Sequence, residues 1–185
     1  RIRSIDLISA DANTTALACQ TPGVVAITCM TCEVTADHLS PLVDNPHFRG
    51  LQISRQDLDT SLIDAIANLN HLTQLDLSRT NLDRTQFGKL DHLPLRNINL
   101  TNTQLKLSQL GKPDWSNTAE TLLLSRPAKG ITDALEIEAW PHLRNLRVYR
   151  PTRISNPSVL KVRLADLPAL SMVSLDRNQQ HDLEL

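Results

Sequence analysis

Aromatic side chains are scarce in this chain, with Phe, Trp and Tyr together making up 3% of 185 residues. A core with so few rings must be thin and built from Leu, Ile and Val. Glycine is nearly as rare, at five residues. The chain has no phosphate-cradling glycine loop and no G-x-S-x-G, and H-E-x-x-H is also missing. Three cysteines, Cys19, Cys29 and Cys32, are too few for a disulfide scaffold. Neither charge dominates: 19 Lys and Arg stand against 20 Asp and Glu, a formal net charge of −1. That balance argues against nucleic acid or an anionic membrane as partner. No hydrophobic run approaches transmembrane length, so no membrane insertion is expected. The first residue is Arg1, not Met, which leads us to expect a removed segment or a fragment of a longer chain. What is present, 41% hydrophobic and 21% charged residues, suits a folded soluble protein with a sizeable core.

Two stretches set the pattern for the rest. Leu72-Thr-Gln-Leu-Asp-Leu-Ser-Arg-Thr-Asn-Leu82 and Leu95-Arg-Asn-Ile-Asn-Leu-Thr-Asn-Thr-Gln-Leu105 both read L-x-x-L-x-L-x-x-T-x-L, 23 residues apart. Apolar residues on alternate positions mark a short strand, which cannot bury its apolar face alone. Copies at a fixed period can do so by stacking. The same frame fits further copies, with starts near 2, 24, 48, 72, 95, 119, 143 and 170, spaced 22 to 27 residues apart. Pro22, Pro46, Pro141 and Pro168 each lie two residues before a start, where a turn back into the strand is needed. Ser61 to Leu69 has helical spacing. Ile131 to Trp140 reads as a further helical turn, and Lys106 to Thr118 as irregular.

This pattern resembles the leucine-rich repeat family, over essentially all 185 residues. The resemblance implies an α/β solenoid forming a single domain over 1–185. It would be a curved horseshoe, with parallel strands on the concave face and short helices and irregular segments on the convex face. It further implies a surface that binds another macromolecule. Thr80 and Thr103 stand where many family members have Asn. The cysteine-rich caps of many extracellular members are missing, so the open N-terminal end is expected to contact another domain or subunit.

Candidate chemistry is thin. Cys29-Met-Thr-Cys32 has metal or redox spacing, yet both cysteines fall on inward positions, where Cys acts as a small buried hydrophobe. No second C-x-x-C completes a zinc site. His47, His71 and His142 each precede a repeat start without an evident third ligand. No catalytic residues, cofactor or metal are expected.

One column does stand out. Position eight of each repeat carries Arg55, Arg79, Arg126, Arg150 and Arg177, broken only by Ser9, Thr31 and Asn102. Two explanations stay open: arginines that keep a sheet margin soluble, or a row of guanidiniums that recognises acidic or phosphorylated groups. Towards the C-terminus, Leu123, Tyr149 and Met172 fall on outward strand positions beside Arg126, Arg147 and Arg150. That composition matches an interaction hot spot. The expected function is therefore a non-catalytic protein-binding module, its partner held by Leu123, Arg126, Arg147, Tyr149, Arg150 and Met172, with Arg79 and Arg55. Two alternatives are weighed against it. One is the recognition arm of a larger enzyme, or of a secreted or host-directed bacterial effector, whose catalytic domain lies outside this chain. The other is carbohydrate or surface-polymer binding on the patch of Gln52, Gln74, Asp76, Asn97 and Asn99.

Overall fold

Eight short strands pair side by side in parallel because each contributes alternate apolar residues to one side. The computed structural model describes residues 3–125, 133–149, 160–175 and 181–184. In chain order the elements begin with β1 (Ser4–Ile8), α1 (Ala12–Cys19), β2 (Ala26–Met30), α2 (Ala36–Val43) and β3 (Gly50–Ser54). Next come α3 (Thr60–Ala67), β4 (Gln74–Asp76), α4 (Arg84–Gly88) and β5 (Asn97–Asn99). Two 3-10 turns, Leu107–Gln109 and Asp114–Asn117, lead to β6 (Thr121–Ser125) and β7 (Asp133–Glu138). The chain then runs through β8 (Asn145–Tyr149), β9 (Leu160–Ala165), β10 (Met172–Leu175) and β11 (His181–Glu184). The main sheet has the order β1-β2-β3-β4-β5-β6-β8-β10, and a second sheet the order β11-β9-β7.

The register follows the apolar frame. Leu51 pairs with Leu75, Leu75 with Ile98, Ile98 with Leu122, and Leu122 with Leu146. All five are at most 2% exposed. One backbone device repeats at the strand entries. The carbonyl of Arg49 accepts N–H groups from both Thr73 and Gln74, each at 2.9 Å, and the carbonyl of Arg96 does the same for Glu120 and Thr121. Three of the four described α-helices start at aspartates, and α2 starts at Thr35: Asp11 accepts from the Thr14 N–H at 2.8 Å and Asp59 from the Leu62 N–H at 2.7 Å. Asp83 forms a capping box with Gln86.

The curved leucine-rich repeat horseshoe expected from the sequence is not what the structure shows. The chain is an α/β fold with a parallel eight-stranded sheet and few helices, and that sheet is not bent into a curved solenoid. The back layer supplies the physical reason. A horseshoe bends when its rear elements are wider than its front strands, as a helix of ~10 Å is against a strand spacing of ~4.8 Å. Here the helices span only five to eight residues and then give way to 3-10 turns. Behind the last strands lies a second sheet, also parallel, with the same strand spacing as the front. Within the segment read as a helical turn, Ile131 to Trp140, the described residues Asp133–Glu138 form β7, in which Leu135 and Ile137 are buried while Glu136 and Glu138 are exposed.

At the change from helix to strand, three of the chain's five aromatics meet. Phe87 and Trp115 pack edge to face at 5.8 Å and 82°, and Trp115 and Trp140 at 5.3 Å and 85°. All three are 1% exposed.

The position-eight column has a backbone origin. Ser9, Thr31, Arg55, Arg79 and Asn102 all adopt left-handed φ, between 52° and 61°. Ala139 and Asp166 do the same after β7 and β9. Each strand described to its end by such a residue turns out of the sheet there. In this conformation a Cβ crowds the carbonyl, and a β-branched side chain is worst placed of all. Thr31→Gly is therefore expected to raise stability by about 1 kcal/mol in urea unfolding. A loss instead would mean that the Thr31 hydroxyl, 3.0 Å from that of Ser9, outweighs the backbone strain.

Candidate functional site

The open face of the main sheet carries the outward side chains of every strand. Alternation sends Leu122 and Leu124 inward on β6, and so Thr121, Leu123 and Ser125 outward. On β8 the same rule exposes Arg147 and Tyr149; on β10, the last strand of the sheet, Met172 and its neighbour Val173 are both exposed.

Register brings four of the expected site residues together. Leu123 sits directly beside Arg147, and Ser125 beside Tyr149. Met172 pairs with Asn145 on the next strand, and an Arg147 Nη2 lies 3.4 Å from its sulfur. Tyr149 is 42% exposed and Met172 43%, while Leu123 is half-buried. Arg126 and Arg150 lie outside the described residues.

Arg55 and Arg79 are not part of this cluster. They follow β3 and β4 and are exposed, and neither guanidinium has a hydrogen-bond or ion-pair partner among the described residues. The left-handed turn explains why the position recurs; nothing in the structure explains arginine at it.

A shallow groove of about 230 Å³ runs across the strands from β2 to β6. Its floor is low at Ala26 and Gly50, and a Cβ on Gly50 would stand 2.9 Å from that of Ala26. Only glycine permits that approach. Its walls are carboxamides. Gln52, Gln74 and Asn97 make no side-chain hydrogen bond among the described residues, whereas Asp76 and Asn99 are fixed. Asp76 accepts from the Ser78 N–H at 2.8 Å through Oδ1, and from Asn99 Nδ2 at 2.8 Å through Oδ2. Asn99 Oδ1 in turn accepts from the N–H and hydroxyl of Thr101, at 3.1 and 2.8 Å. No cation pairs with Asp76 among the described residues.

The cysteines are walled in, whereas His47, His71 and His142 are exposed. Cys19, Cys29 and Cys32 are free and buried. Burial pushes the Cys29 thiol up to about 12 and that of Cys19 to about 11, so neither is a thiolate at neutral pH. Asp91 is also raised, chiefly by burial, with Arg84 opposing the shift. Among the described residues no group of three His, Cys, Asp or Glu is placed to hold a metal ion. No helix there is long and apolar enough to cross a membrane.

Sequence reasoning named the residues of the groove but not their division of labour. The signal was present: Asp76 and Asn99 each stand two residues before a Ser or Thr at the strand end, the spacing of a side chain that accepts a backbone N–H two residues on. No protein-family model matches the chain, and no curated protein matches it either.

Proposed function

We propose that the protein is a non-catalytic binding module whose protein partner docks on the open sheet face over β6, β8 and β10. The observation that carries this reading is the patch of Leu123, Arg147, Tyr149 and Met172. It places three apolar side chains around one exposed guanidinium on adjacent strands. An aromatic and an arginine with apolar neighbours form the composition from which binding hot spots are built. Among the described residues the arginine has no acidic partner, and its guanidinium contacts the Met172 sulfur. It is free to meet a carboxylate on a partner.

The test compares wild type with Arg147→Glu/Tyr149→Ala in a pull-down, followed by titration against whatever the wild type retains. Loss of a central hot spot is expected to weaken binding at least ~30-fold. Equal retention by both proteins would place the docking surface elsewhere. Circular dichroism on the variant separates lost binding from lost fold, and both side chains are exposed, so the fold is expected to survive.

A further inference from the structure

We infer that the groove beside this patch takes an extended peptide segment of the partner, one with a basic side chain over Asp76 and an apolar side chain over Leu123. The inference rests on the binding-module reading and names the form of its ligand.

Dimensions come first. From β2 to β6 the groove crosses four strand spacings of ~4.8 Å, about 19 Å, which is the length of roughly six extended residues. The low floor at Ala26 and Gly50 lets a backbone approach closely. A bulkier ligand would gain nothing from glycine there.

The walls match a peptide backbone. A carboxamide offers one donor and one acceptor side by side, which is what a residue of extended chain presents along its edge. This protein already uses the pairing internally. Gln56 donates from Nε2 to the Val34 carbonyl at 2.5 Å and accepts the Val34 N–H at 3.0 Å through Oε1. Gln52, Gln74 and Asn97 carry the same group into the groove, and none has a partner within the protein among the described residues.

Charge sets the sequence preference. Asp76 is held by the Ser78 N–H and by Asn99, so its position is fixed before any ligand arrives. A carboxylate placed this way, with no ion-pair partner among the described residues, selects a Lys or Arg. Leu123 lies two strands further on, ~9.6 Å away, which separates the basic and apolar side chains by about three residues.

The experiment uses a positional-scanning library of immobilised octapeptides. It is probed with wild type and with the exchange variant Asp76→Asn/Asn99→Asp. The exchange keeps the hydrogen bonds but moves the negative charge one strand towards Leu123. Wild type is expected to select a basic residue three positions from an apolar one. The variant is expected to shorten that spacing to one or two positions. Gln74→Leu, at an exposed side chain, should weaken the selected peptide about 3- to 10-fold. A library showing no basic preference, or the same spacing for both proteins, overturns the inference. So does the absence of any peptide binding while a folded partner is still lost on Arg147→Glu/Tyr149→Ala; the binding-module reading would then stand alone. If that variant keeps its partners, the reading itself fails.

Discussion

Trp115→Ala is expected to lower the stability of this protein by about 3–5 kcal/mol, a loss read directly from the shift of its urea unfolding midpoint. The indole is 1% exposed and bridges Phe87 on one side and Trp140 on the other, both edge to face. Each aromatic contact adds about 0.5–1.5 kcal/mol beyond the area it buries. The position also matters, because Trp115 fills the seam between the helical and the stranded parts of the back layer. The adjoining Phe87 and Trp140 are fully buried themselves, so truncation leaves a cavity in the middle of closed packing. With total stabilities of small proteins at about 5–15 kcal/mol, such a loss leaves a marginal fold. Trp115→Phe is the informative companion. The indole Nε1 is buried and has no hydrogen-bond partner among the described residues, so phenylalanine loses packing but also removes that donor. It should cost clearly less than alanine. A loss below about 1 kcal/mol for alanine would show that the seam repacks freely.

Leu75→Ala is expected to cost about 2–5 kcal/mol. Leu75 is the middle residue of β4, a strand of three, and its register neighbours are Leu51 and Ile98. It is 2% exposed, in a row whose other members are equally closed to solvent. Truncation opens a cavity that the two flanking strands cannot close without breaking their own pairings. The contrast lies one residue away. Gln74 points to the open face, and Gln74→Ala should change stability by no more than about 0.5 kcal/mol. Equal effects at the two positions would contradict the alternation on which the sheet is built.

How far the fold could be read in advance is best seen strand by strand. Leu75, Ile98, Leu122 and Leu146 were readable as one buried row because the spacing of L-x-x-L-x-L leaves no other face for them. The second sheet was not read, although β7 and β9 also alternate. Leu160, Val162 and Leu164 are buried, with Lys161 and Arg163 exposed between them. These strands lie between the repeat starts, in segments that the repeat frame assigns to helix or loop, and that frame took precedence over their period-2 alternation. The expectation of a curved horseshoe failed for the same reason, since curvature depends on the width of those intervening segments. On the open face, the outward places of Leu123, Arg147 and Tyr149 were legible from alternation, whereas on β10 Val173 is exposed along with Met172. The left-handed turns at Thr31, Arg55 and Arg79 were not legible. That conformation is ordinarily announced by Gly or Asn, and only Asn102 in the column carries the signal.

The pairing pattern has a consequence for how the chain reaches this state. Among the described residues every strand pair in both sheets is parallel, so none of these neighbours is joined by a tight hairpin. The first contact between any two of them must close a loop of some twenty or more residues before a single ladder bond is rewarded. The nucleus has no local shortcut, and the search is slow for a protein of this size, in the range of milliseconds to seconds. During that interval the apolar side of each waiting strand is open to other molecules. The aspartate-capped helices, which form from near neighbours in sequence, are the parts of the chain able to shorten the wait.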